Sequence, residues 1–304
     1  MSINVAAIVV AYLPDASIEV NLNALSNHVE VIYLVDNSPR EVPASIDLTA
    51  IASSNRKIIH LPQGANTGIA QALNVGCAQA QSDGFEWVLT MDQDSRVEEE
   101  MVNALRAAIT GPDAADIGIA APEIWDVQRG HLPAPNPDPL VVYTSGSLLR
   151  LAAWKALGGF DELLFIDAVD IDFCLRLAKG RWRVVQAHGR LRHALGSMRS
   201  VLGKKLKIRS YSAFRRYFQA RNAVIVVRRH FRRYPWPMVR HCFGVFVVAG
   251  AKLLLFERHI IPAFFRGFLD GCRVPGVLVA AVSLPEGVDH EEWRTGLLKR
   301  AEKS

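Results

Sequence analysis

Between Phe173 and Phe256 the chain carries no aspartate or glutamate, although it holds 20 lysines and arginines there. So long a stretch without an acid excludes an ordinary mixed-charge surface and points to an anionic partner. The four cysteines (Cys77, Cys174, Cys242, Cys272) form no C-x-x-C pair. They fit reduced core thiols better than a disulfide framework or a cysteine-built zinc site. Met1-Ser-Ile-Asn lacks the basic stretch and cleavage site of a secretory leader, so a cytoplasmic protein is expected. There is no internal repeat. No helix-turn-helix or zinc pattern is present, which argues against nucleic acid as partner. The longest nearly uncharged run, Cys242–Phe256, is interrupted by Lys252 and falls short of the roughly 20 apolar residues of a membrane span.

What is present is unevenly distributed. Half of the 304 residues are hydrophobic, enough for one large core or a core with an appendage and too many for a disordered chain. Residues 1–172 carry 8 Lys/Arg against 23 Asp/Glu, a balance of −15, whereas residues 173–256 stand at +20 and residues 257–304 are neutral at 7 against 7. An acidic half that hosts a metal and a basic half that meets anions is an economical reading of that polarity.

The first 125 residues alternate strand-like and helix-like runs. Strands are expected at Val5–Ala11, Val29–Val35, Ile58–Leu61 and Glu86–Met91, and helices at Ala16–Leu25, Thr67–Ala80 and Val97–Ile109. The pattern predicts a mostly parallel sheet covered on both faces, with ligands beyond the carboxyl ends of its strands. Tyr12, Asp36, Asn66 and Asp92 all fall there. Pro122–Pro139 reads as a loop, Leu151–Leu157 as a short helix and Asp167–Ala178 as a helix. Beyond Ser197, Arg221–Arg233 and His241–Arg258 read as amphipathic helices. With their arginines and aromatics they suit the surface of an anionic membrane, the alternative being a packed helical subdomain with a basic solvent face.

Two acidic segments carry the chemistry. Trp87–Met91 is an apolar strand that delivers Asp92 and Asp94 to its end. Two acids so placed are expensive unless something positive sits beside them, and hard oxygen ligands suit Mg²⁺ or Mn²⁺ shared with a phosphorylated ligand. The plainer alternative is a turn in which Ser95 and Glu98 form a capping box. The second segment, Phe160–Arg176, holds Asp161, Glu162, Asp167, Asp170 and Asp172 among apolar residues. A half-shielded carboxylate such as Asp170 can serve as general base, while helix N-terminal preference accounts for one or two of these acids. Asp36 suits a ribose or base contact, or an Asx-turn. Gly64-Ala-Asn-Thr-Gly68, ahead of a helix containing Asn74, suits an anion or an ordinary helix entry and matches neither the dinucleotide nor the P-loop pattern. His193 suits a metal or diphosphate contact, or a structural role.

Taken in order, Val9-Val-Ala-Tyr, Val35-Asp-Asn-Ser, Asn66-Thr-Gly, Met91-Asp-Gln-Asp-Ser, Gly159-Phe-Asp-Glu, Val169-Asp-Ile-Asp-Phe-Cys-Leu-Arg and Arg221-Asn222 resemble glycosyltransferase family 2. These are inverting enzymes with a GT-A nucleotide-diphosphosugar fold, a Rossmann-like mixed sheet flanked by helices. The similar subgroup is that of bacterial rhamnosyltransferases of cell-surface polysaccharide, with Val169-Asp170 in place of the more usual Glu-Asp. The resemblance implies a catalytic domain over 1–200, with a nucleotide-sugar half at about 1–125 and an acceptor half at about 140–200, and a C-terminal helical region over 201–304. It implies donor contacts from Tyr12, Asp36, Asn66, Gly68, Asn74 and Asp92, and a metal, Mg²⁺ or Mn²⁺, on Asp94, Asp92 and His193. Asp170 is the implied base, and Ser145, Gly146, Asp167 and Arg221 the implied acceptor contacts. The implied donor is dTDP-L-rhamnose, with other UDP- or GDP-linked sugars as alternatives. The implied acceptor is a saccharide or lipid-linked saccharide at the inner face of the cytoplasmic membrane, and oligomerisation stays open. A nucleotidyltransferase would need a Gly-rich basic loop that Val9-Val-Ala-Tyr-Leu-Pro lacks. A polyanion-binding protein would leave the acidic clusters unexplained.

Overall fold

The computed structural model describes residues 3–111, 114–126, 140–193, 197–201 and 206–276, with side chains left out at residue 126 and over 192–209. Its contacts divide the chain into two compact units. The first joins residues up to Phe160 with Phe173–Leu195; the second joins Asp161–Asp172 with the described residues from 197 onward.

The first unit is built on a seven-stranded sheet of order β3-β2-β1-β4-β6-β5-β7. β1 (Val5–Ala11) is buried at every position, as its unbroken apolar sequence requires of a central parallel strand covered on both faces. It pairs in parallel with β2 (Val31–Asp36) on one side and β4 (Trp87–Asp92) on the other, and β2 pairs with β3 (Ile58–Pro62). Helices α1 (Ser17–Ser26), α2 (Leu48–Ser54), α3 (Ile69–Ser82) and α4 (Glu99–Ala108) connect or follow these strands. Each large apolar side chain fully buried in this core contributes about 1.5–3 kcal/mol.

Beyond β4 the sheet becomes mixed, as the GT-A resemblance implied. β6 (Ser147–Arg150) runs antiparallel to both β4 and β5 (Ile117–Asp126), and β5 pairs in parallel with β7 (Arg183–His193). β5 also corrects the expected loop at Pro122. The strand continues to Asp126, and a register shift between Ala121 and Glu123 accommodates the proline, which has no N–H for the ladder. Helices α5 (Leu151–Ala156) and α6 (Val169–Lys179) lie between β6 and β7. Of the cysteines expected in the core, Cys77 and Cys174 are buried, whereas Cys272 is exposed.

The second unit holds a two-stranded ribbon, β8 (Ser197–Val201) with β9 (Leu206–Ser210), and helix α7 (Ala213–His230). α7 buries part of its polar sequence, with Arg216, Arg221 and Asn222 among its buried residues and Arg228 exposed. It packs against α10 (Ile261–Arg273), where Gly267 and Gly271 permit close approach. A Cβ at Gly267 would lie 2.1 Å from the Tyr217 carbonyl oxygen and one at Gly271 would lie 2.6 Å from that of Arg221. Between them Pro235–Phe256 forms one helical stretch, α8 (Pro235–Cys242), a π-helical segment (Phe243–Ala249) and α9 (Gly250–Phe256). At 22 residues it is longer than the uncharged run alone suggested. By length and composition it is the one described helix that could cross a membrane. Its surface is largely exposed, with Trp236 at 80% and Leu255 at 69%.

Candidate active site

The strand order reverses at β1 and β4, since β2 and β3 lie to one side of β1 and β4 to the other. Ligands of open α/β sheets bind outside the carboxyl ends of strands at such a point. β1 ends before Tyr12, and β4 ends at Asp92. Gln93 ties the two together. Its side-chain carbonyl accepts from the Tyr12 N–H at 2.7 Å, its amide donates to the Tyr12 carbonyl at 3.3 Å, and its own backbone carbonyl accepts from Asn21 at 2.9 Å. The middle residue of Asp92-Gln93-Asp94 is therefore a latch, and the carboxylates on either side are partly exposed at Asp92 and exposed at Asp94.

Below this turn, Ser145 accepts from the Asp92 N–H at 3.1 Å and shares a 2.9 Å hydrogen bond with Ser95. Both serines are buried. The capping-box alternative fails here. The N-cap of α4 is Glu98, and the Ser95 hydroxyl is turned to Ser145. Gly146 donates to the Thr90 carbonyl at 2.6 Å and has φ of +82°; a Cβ there would meet Leu191 at 2.6 Å. The structure thus sets Ser145 and Gly146 behind the acidic turn, as its support, rather than on an open acceptor surface.

At the end of β2 Asp36 makes the Asx-turn that was one of its two alternatives. One carboxylate oxygen accepts from the Ser38 N–H at 3.0 Å, an Asx-turn, and the other lies 3.4 Å from His60 Nε2. Asp36, Ser38, Asp47, Thr49 and His60 line a cavity of about 350 Å³. Asn37, the next residue, is buried. Its carbonyl accepts from the Thr67 N–H at 2.9 Å and the Thr67 hydroxyl at 2.8 Å, and its amide donates to Asn66 at 3.2 Å. Asn66 in turn accepts from the Gly68 N–H, the residue that precedes α3. The Gly64–Gly68 loop is thereby fastened to the end of β2. Asn74 fastens a different turn. Its carbonyl accepts from Phe160 N and Trp154 Nε1 and its amide donates to the Phe160 carbonyl, at 2.8–3.0 Å, so it holds the Gly158-Gly159-Phe160 turn.

The second acidic segment lies in the other unit. Asp170 stands in the first turn of α6, and its carboxylate accepts from the Ile171 N–H at 2.9 Å. Asp167 is paired with Arg215 at 3.0–3.2 Å. Arg221 is buried, donating to the Leu163 carbonyl at 2.9 Å and to Asn222 at 2.7 Å, so it serves the fold and not an exposed acceptor surface. Asp161 and Asp172 are buried around Arg229, at 2.7 Å and 2.6 Å, with His230 2.9 Å from Asp172. Burial pushes the Asp161 carboxyl up to about 6 against the pull of Arg229, with Asp172 adding to the rise. Of the five acids, then, Asp161, Asp167 and Asp172 balance arginines.

Sequence reasoning missed Gln93, Asn37, His60 and Asn222 as working residues. Gln93 and Asn37 each adjoin a noted aspartate, which was the available signal. His60 gave none, and Asn222, although noted in the Arg221-Asn222 pair, has partners in Leu164, Ile166 and Asp167 that are distant in sequence.

No three His, Cys, Asp or Glu side chains gather into a metal cage among the described residues. The pair Asp92 and Asp94 nevertheless fits Mg²⁺ or Mn²⁺, which take hard oxygen ligands and keep only one or two protein carboxylates beside phosphate and water. His193 closes β7 opposite Asp126; its side chain lies outside the described residues.

Residues 7–138 match the model of Glycosyl transferase family 2. The dTDP-rhamnosyl transferase RfbF of Shigella flexneri is 29% identical over 90% of this chain and 99% of its own length. Among solved structures, S. aureus TarS (residues 1–349) in complex with UDP-GlcNAc superposes with a TM-score of 0.62 at 18% identity, covering 91% of this chain and 83% of TarS 1–349. The mannosyltransferase PcManGT of Pyrobaculum calidifontis, with GDP-Man and Mn²⁺, gives 0.53 at 16% identity, covering 99% and 86%. At such identities the two structures speak to the fold alone.

Proposed function

We propose that this chain, which is a family 2 glycosyltransferase of the GT-A fold, transfers L-rhamnose from dTDP-L-rhamnose, with inversion, to a saccharide or lipid-linked saccharide of a cell-surface polysaccharide. The observation that carries the transferase reading is the pair of carboxylates, Asp92 and Asp94, held by Gln93 and Ser145 at the switch point of the sheet. The similarity to RfbF along nearly the whole length of both chains supports the choice of donor.

In this reading the cavity beside Asp36 and His60 takes the base and ribose. Tyr12, Asn66 and Gly68 border the donor, and Asp92 reaches the ribose. Asn74, Ser145 and Gly146 act from behind as supports. Asp94 and Asp92 would hold Mg²⁺ or Mn²⁺, with His193 the further contact that the resemblance implies. When bound, the cation stabilises charge developing on the diphosphate. Asp170 takes the proton of the acceptor hydroxyl as its oxygen attacks the anomeric carbon. The bond from that carbon to the diphosphate oxygen breaks, its electrons leave with the nucleoside diphosphate, and one displacement inverts the centre. No covalent sugar–enzyme intermediate is required.

The exposed apolar residues Trp236, Val239, Phe243 and Val247 recur every three or four positions along Pro235–Phe256, and Leu254 and Leu255 are exposed near its end. Exposed Arg232, Arg233 and Arg240 stand near its start. That pairing supports peripheral attachment to the anionic inner face of the cytoplasmic membrane, where a lipid-linked acceptor resides.

The test is release of nucleoside diphosphate by the purified chain with Mg²⁺ or Mn²⁺ and a panel of dTDP-L-rhamnose, UDP-glucose, UDP-galactose and GDP-mannose. Cation-dependent release from dTDP-L-rhamnose is expected. Release from another donor alone would overturn the rhamnose assignment, and release from none, with membrane-extract acceptors added, would overturn the transferase reading.

A further inference from the structure

We propose that α7 is the positioning element for Asp170, acting on the backbone that leads to it through Asn222 and on the helix that bears it through Arg229 and His230. The inference rests on the reading of Asp170 as base. It assigns a task to a helix that lies beyond the family match at residues 7–138.

The approach to Asp170 is a strained path. Phe165, Asp167 and Ala168 have φ of +63°, +62° and +63°, and none is glycine. Each such residue costs on the order of 1–3 kcal/mol and persists only where its surroundings over-determine it. Those surroundings come from α7, turn by turn. Arg215 pairs with the Asp167 carboxylate, and Phe218 stacks on Phe165 at 4.9 Å between centroids. Arg221 donates to the Leu163 carbonyl. Asn222 donates to the carbonyls of Leu164, Ile166 and Asp167 at 2.7, 2.7 and 3.0 Å. One amide group has two N–H bonds, so serving three carbonyls requires sharing, and only a fixed loop geometry permits it. Asn222 is fully buried, so those carbonyls have no ready substitute in water.

The other side of Asp170 is held as firmly. Asp172, two residues on in the same turn of α6, is fully buried, and its carboxylate meets Arg229 and His230 from the last turn of α7. Residues 215, 218, 222 and 229 recur at spacings that place them along one side of a helix. Asp170 is therefore bracketed, by Asp167 three residues before and Asp172 two after, and both brackets close on one rigid helix. None of these α7 side chains needs to touch substrate. Their effect is on where the Asp170 carboxylate stands, and an error of about 1 Å in such a group can cost about 10²-fold in rate.

The test compares Asn222→Ala, His230→Ala and His230→Gln with the parent chain, with Asp170→Asn as the reference for loss of the base. Asn222→Ala and His230→Ala should lower kcat about 10²-fold while the donor KM, and donor binding by calorimetry, stay unchanged. His230→Gln keeps an N–H for Asp172 and should restore most of the turnover. Wild-type kcat in folded Asn222→Ala and His230→Ala would overturn the proposal, as would a risen donor KM at constant kcat. If Asn222→Ala does not fold, the His230 pair decides. Amide hydrogen exchange over residues 161–172 provides an arm independent of turnover. It should quicken in His230→Ala at unchanged melting temperature, and unchanged exchange there would overturn the proposal even if no donor were turned over. A parent chain inert toward every donor would overturn the transferase reading alone.

Discussion

The molecule uses aspartate in two opposed ways. At the end of β4 the backbone around Asp92 and Asp94 is held by neutral groups, the Gln93 amide and the Ser145 and Ser95 hydroxyls. Between Asp161 and Asp172 the acids are matched to arginines, with Asp161 and Asp172 on Arg229 and Asp167 on Arg215. These hydrogen bonds fix the turn, and under the proposed function its acids would hold a cation carrying phosphate. Arginine support neutralises the acids themselves and turns them into fasteners. A high density of carboxylates in a sequence thus does not identify which of them are available for chemistry.

The comparison can be broken at several points. The largest effect is expected from Asp94→Asn, which should lower cation-dependent transfer by about 10³-fold with little change in melting temperature; a large fall in melting temperature at retained transfer would make Asp94 a fastener. Arg229→Met should do the opposite. It leaves two buried carboxylates without their cation and should destabilise the fold by about 3–5 kcal/mol, measured by urea unfolding; near-wild-type stability would remove the fastener reading. Removing Arg232 or Arg233 as glutamine should weaken binding to vesicles of anionic phospholipid about fivefold per charge, leaving neutral vesicles unaffected, and equal binding of both variants to anionic vesicles would argue against the basic attachment surface.

The smallest effect concerns acid. The native chain holds a proton on Asp161 up to about 6, whereas an unfolded one releases it near 3.8. Between those values the folded state binds more protons, so this group's contribution to stability falls as pH rises through that window. Thermal melts from pH 4 to 7 should show that fall in the parent chain and lack it in Asp161→Asn. Parallel curves would count against the raised proton affinity.

Much of the first unit was legible from periodicity. The unbroken apolar run Val5–Ala11 could only be a central strand, and Asp36, Asp92 and Asp94 followed from where strands end. What escaped were antiparallel β6, the continuation of β5 through Pro122, and the strands after Trp182, whose sequences lack a clean apolar alternation. The basic stretch was read as surface because arginine is seldom buried. The side chains of Arg216, Arg221 and Arg229 are buried against Glu257, the Leu163 carbonyl and the Asp161–Asp172 pair, partners that lie 41, 58 and 57–68 residues away and so leave no local signal.

By itself the sequence determined the strands at the centre of the sheet and which acids sit at their ends, because hydrophobic periodicity and strand length are local properties. Tertiary structure alone decided that Gln93 is a latch, that Asn74 and Arg221 serve the fold, and that α7 holds the path to Asp170. Each of those roles depends on a hydrogen-bonding partner brought in from a distant part of the chain, and a buried polar group takes its meaning from that partner.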